Sequence, residues 1–401
     1  MSPKRPTKKL GELLITNDTG IWGEPIHNNE KGILILRSTN FENDGLLDFS
    51  NIAKRKIPKD KIENLQLQDG DILLEKSGGG PEQPVGRVSY FIAPDNQIYT
   101  FANFIQRLRS NKDIINSRFL FHYLFYLYKI GTTLRLQSQT TGIRNLNLNL
   151  YLKAKIPTPS LHIQHQIVGR LDAIKKAQEL NAQQIVLTDE LFQSLLHNEL
   201  HLKGKQWEIV KIGNVCNLMT GGTPRSTVKE YYENGDIKWL VSGDIHQGEI
   251  YDCPFRITQK GMENSNAKYL PVNSVLIALN GQGKTRGTVA LLRTKATCNQ
   301  SIVAIDSQNK EQLKSEFLYF GLKDMYNKIR NITGDNQRSG LSMRIIKEIK
   351  IFLPPLGIQR QIVEKLQAAQ DYKKKLLEQK QKLQELFDSC LDKTMKGELV
   401  K

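Results

Sequence analysis

The sequence predicts a mixed α+β protein in which two tandem α/β domains are separated by two long helices that pair as an antiparallel coiled coil. An internal duplication predicts the two domains, because short motifs recur in the same order about 200 residues later. Two uninterrupted apolar stripes predict the helices, one after each domain. Short apolar runs between glycine-rich loops predict the strands inside each domain.

The duplication extends along the whole chain. Its matched pairs are Leu10–Leu13 with Ile212–Val215, Leu67–Leu74 with Leu270–Ile277, Gly86–Val88 with Gly287–Val289, Phe119–Phe121 with Phe317–Tyr319, Thr140–Ile143 with Arg338–Leu341, and Ile163–Ile167 with Ile358–Ile362. Solenoid repeats are only about 20–50 residues long, so this period corresponds to whole domains. We therefore predict domains at 1–155 and 205–352, with a central helical spacer at 156–204 and a C-terminal helical spacer at 353–401.

Both domains contain segments typical of buried strands and of helices. The predicted strands are Ile33–Leu36, Asp71–Leu74 and Gly86–Tyr90 in the first domain, and Trp239–Val241, Ser274–Ile277 and Thr288–Leu292 in the second. The predicted helices are Phe119–Ile130 and Ser315–Ile329.

Each spacer begins after prolines and carries apolar residues at helical spacing. The first follows Pro157–Ser160, with Ser160 as its predicted N-cap, and the second follows Pro354-Pro355. The stripes are Ile163, Ile167, Leu171, Ile174, Ile185, Leu191 and Leu195, then Ile358, Ile362, Leu366, Ala369, Leu376, Leu383, Phe387 and Leu391. Such helices would be roughly 50–60 Å long. Because the stripes are narrow and the remaining faces charged, pairing of the two helices is favoured over packing of each on its own domain.

The charge balance indicates a polyanionic partner. The 401 residues include 57 Lys and Arg against 41 Asp and Glu, a formal net charge of +16, and neutralised phosphates would release counterions. The four cysteines lack CxxC spacing and suit a reducing cytosol better than a disulfide framework or zinc site. Without a long apolar run or a signal-peptide core, we expect a cytoplasmic protein that does not contact the membrane.

No catalytic motif is evident in the sequence, which places the chemistry in a partner. The histidines do not form an HExxH pattern, and no GxSxG motif occurs. The segment Gly283-Lys284-Thr285 resembles part of a P-loop, but Ala278 stands where the first P-loop glycine belongs, and a strand rather than a helix is predicted to follow. Two alternatives to DNA binding therefore stay open, a P-loop NTPase and a coiled-coil scaffold that binds only protein.

Several segments resemble the specificity subunits of Type I restriction–modification systems. The opening of their target recognition domain is similar to Met219–Ser226, Tyr231-Tyr232, Gly235–Trp239 and Ser242–Ile245, and their glycine loop is similar to Asn280–Gly287. The start of their helical spacer resembles Pro354–Leu356 and Gln359–Val363, and their ending resembles Lys396–Leu399.

This resemblance implies a non-catalytic subunit that recognises DNA sequence. Each α/β domain would be a target recognition domain that reads one half of a bipartite site in double-stranded DNA, and the paired helices would fix the distance between the halves. Two methyltransferase subunits would dock on the helices and supply S-adenosylmethionine and base flipping, so the chain itself needs no cofactor and no metal. Restriction and translocation subunits would join that complex.

The expected DNA contacts lie in the loops of both domains. Cationic side chains suit phosphates, and Gln, Asn, Ser, Thr and Arg side chains suit base edges. The expected phosphate contacts are Lys76, Arg87, Arg135 and Arg144, then Arg225, Lys284, Arg286, Arg338 and Arg344. The expected base readers are Gln139-Thr140-Thr141 and Gln337-Arg338-Ser339, beside Gly142 and Gly340; Gly78, Gly79, Thr223, Ser226 and Gln282 complete the predicted interface.

Overall fold

The computed structural model describes residues 6–26, 32–80, 83–140, 143–202, 207–281, 283–332 and 340–398. The chain divides into two compact units. The first unit comprises Met1–Asn181 with Gln379–Lys401, and the second comprises Ala182–Glu378. Each unit therefore contains one α/β domain and one half of each long helix.

The first half of the chain contains strands β1 to β12 and helices α1 to α4. The strands are β1 (Thr7–Lys9), β2 (Leu14–Thr19), β3 (Ile33–Leu36), β4 (Ala53–Arg55), β5 (Ile72–Glu75), β6 (Ser77–Gly79), β7 (Val88–Tyr90), β8 (Tyr99–Phe101), β9 (Ile105–Ser110), β10 (Gln137–Thr140), β11 (Ile143–Leu146) and β12 (Lys155–Pro157). The helices are α1 (Lys59–Leu65), α2 (Ser117–Lys129), α3 (Leu148–Leu152) and α4 (Leu161–His197).

The second half contains strands β13 to β22 and helices α5 to α10. The strands are β13 (Glu208–Lys211), β14 (Cys216–Thr220), β15 (Ile237–Leu240), β16 (Glu249–Ile250), β17 (Arg256–Ile257), β18 (Val275–Ala278), β19 (Val289–Leu292), β20 (Thr297–Cys298), β21 (Ile302–Ser307) and β22 (Lys350–Leu353). The helices are α5 (Ile212–Val215), α6 (Gln259–Glu263), α7 (Ser315–Asp324), α8 (Tyr326–Asn331), α9 (Met343–Glu348) and α10 (Leu356–Lys396).

The two domains share one sheet topology. In the first domain the largest sheet has the antiparallel order β2-β9-β5-β7, and in the second it has the order β14-β21-β18-β19, extended by the parallel strand β16. The central strands β5 and β18 are buried along their whole length, which explains their continuous apolar sequences. The strand terminating each domain pairs with the strand that opens it, β12 with β1 and β22 with β13.

The predicted strands are present, and the predicted helices need one correction. Helix α2 covers the predicted segment, but the segment Ser315–Ile329 is not one helix. It is divided into α7 and α8 at Met325, whose φ and ψ angles of −80° and 7° depart from helical geometry. The division does not disturb the match between α2 and α7, both of which begin at a serine, Ser117 and Ser315.

One matched pair of the duplication has a different register in the structure. The backbone N–H of Leu146 donates to the carbonyl of Lys76, and that of Leu341 donates to the equivalent carbonyl of Leu279. The helices that follow, α3 and α9, are capped by the side chains of the next residues, Asn147 and Ser342. Gly340 therefore corresponds to Asn145 and not, as the sequence motif indicated, to Gly142.

The predicted antiparallel pairing of α4 and α10 is confirmed. In the first unit the Gln178 amide donates to the Leu383 carbonyl at 3.3 Å. In the second unit Lys373 lies 2.6 Å from Asp189, and Lys365 lies 2.8 Å from Glu199. Positions therefore rise along α4 as they fall along α10.

The predicted stripe on α4 contains one wrong residue. Leu191 is 53% exposed, whereas the neighbouring Phe192 is buried and packs in the core of the second unit with Leu196. In the first unit Ile167 and Leu171 are buried as predicted. Phe192 lies 7 residues after Ile185 and 21 after Leu171, so it keeps the heptad spacing of the buried face, whereas Leu191 lies only 6 residues after Ile185 and faces away.

A buried glutamine attaches each long helix to its domain. In the first unit Gln164 accepts a hydrogen bond from the Asn116 backbone N–H at 2.7 Å and donates to the Pro159 carbonyl at 2.8 Å. In the second unit Gln359 accepts from the Lys314 N–H at 2.9 Å and donates to the carbonyls of Gln312 and Pro354 at 2.8 Å each. Both side chains are fully buried. The residues before α2 and α7 are thus tied to the first turns of α4 and α10.

We expect Gln359→Ala to lower the free energy of unfolding by about 1–3 kcal/mol, because it leaves buried backbone groups without hydrogen bonds. Gln183 is exposed on α4, so Gln183→Ala is the matched control and should change stability by less than about 0.5 kcal/mol. Urea denaturation of the purified chain measures both values. Equal stability of the two variants would show that the buried glutamine is not an anchor.

His122 on α2 should make the stability of the first unit depend on pH. Its ring is fully buried beside Phe387, and burial lowers the pKa of the imidazole although Asp172, 3.6 Å away, partly opposes this. The unfolded chain therefore takes up the proton first, and stability that is complete above about pH 6.5 is lost as the pH falls below it. Phe320 occupies the equivalent position on α7, so His122→Phe should remove this loss between pH 7 and pH 5 in denaturant titrations. An unchanged pH dependence would contradict the assignment.

Candidate nucleic-acid interface

A small antiparallel sheet in the first domain collects several of the predicted site residues. Its strand order is β10-β11-β6. Arg144 on β11 lies opposite Gly79 on β6 and opposite Gln139 on β10. The sheet thus places the predicted residues of β6 beside those of β10 and β11, which follow much later in the chain. Gly78 of β6 is exposed, and its φ of +103° is a conformation that glycine adopts without strain.

The cations around this sheet differ in exposure. Arg135, on the short 3-10 helix Thr132–Leu136 before β10, is exposed, and Arg144 is half-buried. Lys76 is half-buried, with its ammonium 2.7 Å from Thr19 Oγ1 and 3.2 Å from Gln106 Oε1. Burial lowers the pKa of Lys76. Arg135 is therefore the most exposed of these three cations.

Arg87 does not point into solvent as the sequence prediction required. Its guanidinium forms a two-pronged ion pair with Glu75, with N–O distances of 2.8 and 2.9 Å, and only 9% of the Arg87 side chain is exposed. The remaining N–H groups donate to the carbonyls of Phe41 and Ser38 at 2.9 and 3.0 Å. The ion pair raises the pKa of Arg87 although burial opposes it. Arg87 is therefore committed to protein atoms, and we leave it out of the DNA-contacting set.

Part of the predicted interface lies outside the described residues. Thr141, Gly142, Gln282, Gln337, Arg338 and Ser339 belong to this part, and for Gln139 and Thr140 the structure describes the backbone but not the side chains.

In the second domain the glycine loop connects two antiparallel strands, β18 and β19. A strand follows the loop, so the P-loop alternative is wrong, because a P-loop leads into a helix whose N-terminus binds the phosphates. The Lys284 carbonyl accepts hydrogen bonds from Tyr326 Oη at 2.9 Å and Thr288 Oγ1 at 2.8 Å. These bonds fix the loop backbone and leave the Lys284 side chain exposed, while Arg286 is half-buried.

The segment around Gly340 lies against the beginning of this loop. A Cβ atom on Gly340 would come within 1.8 Å of Asn280 Oδ1, so a larger residue there would require the Asn280 side chain to move. The first domain has the reverse arrangement, in which Ser77 Oγ donates to Asn145 Oδ1 at 2.7 Å. Each domain thus holds one asparagine and one small residue at the contact between its glycine loop and its following strand.

The remaining predicted residues of the second domain lie in two regions, one around Thr223 and the other on α9. Thr223 is exposed and donates to Gln300 Oε1 at 2.6 Å, which brings it near Ser301, whose carbonyl accepts from Leu279 N. Arg225 and Ser226 are exposed just beyond it. Arg344 is exposed on α9, where it lines a groove with Lys328, and no contact between Arg344 and the glycine loop occurs among the described residues.

Three residues that support the glycine loop were missed by sequence reasoning. His246 Nε2 lies 3.0 Å from Thr285 Oγ1, Tyr326 bonds the Lys284 carbonyl, and Arg330 bonds the Arg286 carbonyl at 3.4 Å. These residues follow the loop or precede it at large sequence separation. Nothing in the local sequence marks them, although His246 follows directly on the Ser242–Ile245 motif.

The described residues do not hold a group of three or more His, Cys, Asp or Glu side chains that could bind a metal ion. Among the same residues, none of the helices combines the length and the apolar character needed to span a bilayer.

The sequence matches one protein family twice. The family model for the Type I restriction modification DNA specificity domain matches residues 7–187 and residues 204–386. A Methanocaldococcus jannaschii protein provisionally named the type I restriction enzyme MjaX specificity subunit is 24% identical over 84% of this chain and 80% of its own length. The Escherichia coli EcoR124I/EcoR124II specificity subunit is 25% identical over 53% of this chain and 55% of its own length.

Solved structures share the fold over the whole chain. The Type I restriction–modification S subunit from M. genitalium has a TM-score of 0.58 and 15% identity over 98% of this chain and 96% of that one. The HsdS subunit from Thermoanaerobacter tengcongensis has a TM-score of 0.54 and 19% identity over 100% of this chain and 98% of that one.

We expect Arg87→Ala to destabilise the first unit by about 3–5 kcal/mol, because Glu75 would remain buried without its counter-charge. If Arg87 does not contact DNA, the slope of log affinity against log salt should stay unchanged in the folded variant. A lost phosphate contact would instead reduce that slope by about 0.9. Denaturant titration measures the first effect, and duplex binding between 50 and 200 mM salt measures the second.

Proposed function

This chain belongs to the Type I restriction–modification DNA specificity family and is a non-catalytic specificity subunit that assembles within a Type I restriction–modification complex; from that premise we propose how its parts divide the work. Each α/β domain reads one half of a bipartite target in double-stranded DNA. The loops around β10-β11-β6 read the first half, and the glycine loop with the Gly340 segment reads the second.

The accessible cations of these loops support this assignment. In the first domain Arg135 lies on a short 3-10 helix and Arg144 on the middle strand of the small sheet, and in the second domain Arg225 and Lys284 lie in loops. Amide and hydroxyl side chains lie in the same segments. Phosphate contacts from such cations position the duplex, while amides and hydroxyls distinguish base edges. The net charge of +16 provides the long-range attraction. We retain the remaining predicted residues, apart from Arg87, as part of this proposed interface.

We propose that α4 and α10 fix the distance between the half-sites. Helices of 37 and 41 residues are about 55–60 Å long. Half-sites one duplex turn apart are separated by roughly 34 Å, so the helices are long enough for this role. The two buried glutamines hold the start of each helix to its domain, which is what a rigid spacer needs.

The exposed surface of α4 supports the docking of partner subunits. In the second unit Leu187 and Leu191 are 61% and 53% exposed, and their spacing of four residues places them on one face of the helix. We propose that two methyltransferase subunits dock on the helices, bring S-adenosylmethionine and flip the target base. Restriction and translocation subunits would join this complex, and its place would be the cytoplasm.

The test is to select duplexes from a randomised library with the chain bound to its methyltransferase subunits. We expect two short defined sequences separated by a gap of constant length, because a stiff spacer accepts one separation. Lengthening the gap of the selected duplex by one base pair should weaken binding to the level of unrelated DNA, about 10³-fold or more. Recovery of a single continuous sequence, or equal binding at several gap lengths, would refute the proposal.

A further inference from the structure

A polar cleft of about 410 Å³ lies on the first domain beside β6. Its floor is the buried Arg87–Glu75 ion pair, and it is bounded by Ser38, Thr39, Glu42, Asn43, Gly78 and Gln83. The side chains of Thr39, Glu42, Asn43 and Gln83 are exposed. Within the part of the chain that the structure describes, no hydrogen bond or salt bridge engages the side chains of Glu42, Asn43 or Gln83. The cleft therefore offers unused donors and acceptors.

The turn that carries Glu42 and Asn43 is held in a defined shape. The Glu42 N–H donates to the Leu46 carbonyl at 3.0 Å, and the Gly45 N–H donates to the Glu42 carbonyl at 3.3 Å. Asp44 Oδ1 accepts from the Leu46 N–H at 3.0 Å. These bonds close the turn, so Glu42 and Asn43 project from a fixed backbone.

The turn is also anchored to the body of the first unit at three points. Arg87 donates to the Phe41 carbonyl from below, and Lys175 of α4 donates to the Asp44 carbonyl at 3.0 Å. Gly45 packs so tightly on Phe121 that a Cβ atom would lie 2.7 Å from its ring. Fixing side chains before binding lowers the entropy cost of recognition and sharpens specificity.

In the second domain a side-chain contact crosses the equivalent place. There the turn Ser242–Gly248 is bridged to the glycine loop by the contact of 3.0 Å between His246 Nε2 and Thr285 Oγ1. His246 is equivalent to Glu42, because the residues two positions before them make the same hydrogen bond. Asp244 accepts from the Val241 backbone N–H, and Asn40 accepts from the Arg37 backbone N–H. The two domains thus share the scaffold but differ in this cleft, as domains that read different half-sites should.

We propose that this cleft receives the edge of one base pair of the first half-site and that Glu42 recognises an exocyclic amino group there. The inference rests on the proposed function. Gly78 belongs to both the cleft and β6, whose sheet carries Arg144, so a duplex held by Arg144 passes the cleft opening.

The negative charge of Glu42 determines which groups of the DNA this side chain can bind. A carboxylate repels phosphate and only accepts hydrogen bonds, and the base groups that donate in the major groove are cytosine N4 and adenine N6. Guanine O6 and thymine O4 would face Glu42 as acceptors and are rejected. Asn43 and Gln83 carry both a donor and an acceptor and can pair with the adjoining edge.

The experiment repeats the duplex selection with Glu42→Gln in the full chain bound to its methyltransferase subunits. The substitution keeps the shape and replaces one acceptor oxygen by a donor. We expect the preference at one position of the first half-site to change by about 10-fold or more, with the second half-site and the gap unchanged. The matched control is Glu63→Gln, which removes an exposed carboxylate of α1 in the same domain that does not line the cleft, and it should leave both half-sites unchanged.

Three results would overturn the inference. Glu42→Gln could select the wild-type sequence at every position, or it could lose affinity equally for all duplexes without a change in preference. Asn43→Ala and Gln83→Ala provide a second measurement. If both variants keep the wild-type sequence preference, the cleft does not read a base pair. If the wild-type complex selects no bipartite sequence, the proposed function itself fails, which separates that outcome from a failure of Glu42 alone.

Discussion

The attachment of each long helix to its domain depends on one buried side-chain amide. Gln164 and Gln359 each accept from a backbone N–H just before the packed helix of the domain and donate to a carbonyl at the start of the long helix. An amide buried in this way cannot exchange its partners for water, so the junction has one geometry. A subunit that measures distance along DNA needs such a junction, because flexibility there would blur the separation of its half-sites.

The two domains share one scaffold but differ in the residues of the proposed DNA-reading surface. Beside the small sheet of the first domain, Lys76 and Gln106 form a polar network, whereas the equivalent Leu279 and Val303 belong to the apolar core of the second domain. At the contact between the glycine loop and the following strand, the asparagine also differs in position. It is Asn145 of the strand in the first domain and Asn280 of the glycine loop in the second. The hydrogen-bonded frame tolerates these exchanges because each keeps its neighbours satisfied or apolar.

The buried ion pair of Arg87 shows how the first domain positions its reading surface. A charge pair inside a protein contributes little net stability, since desolvation offsets most of the attraction. Its value here is geometric, because the same guanidinium also bonds the carbonyls of Ser38 and Phe41 and so fixes the turn above it. Lys175 brings the long helix into the same arrangement, which connects the spacer to a loop that faces the cleft.

The sequence alone determined the duplication, the two long helices, the buried central strands and the glycine loop, because each is written as a local pattern of period, apolar run or turn residue. Tertiary structure decided the rest. Only packing showed that Arg87 pairs with Glu75 rather than facing solvent and that Gly340 stands beside Asn280. Each of these depends on a partner distant in sequence, and such relations leave no mark in neighbouring residues.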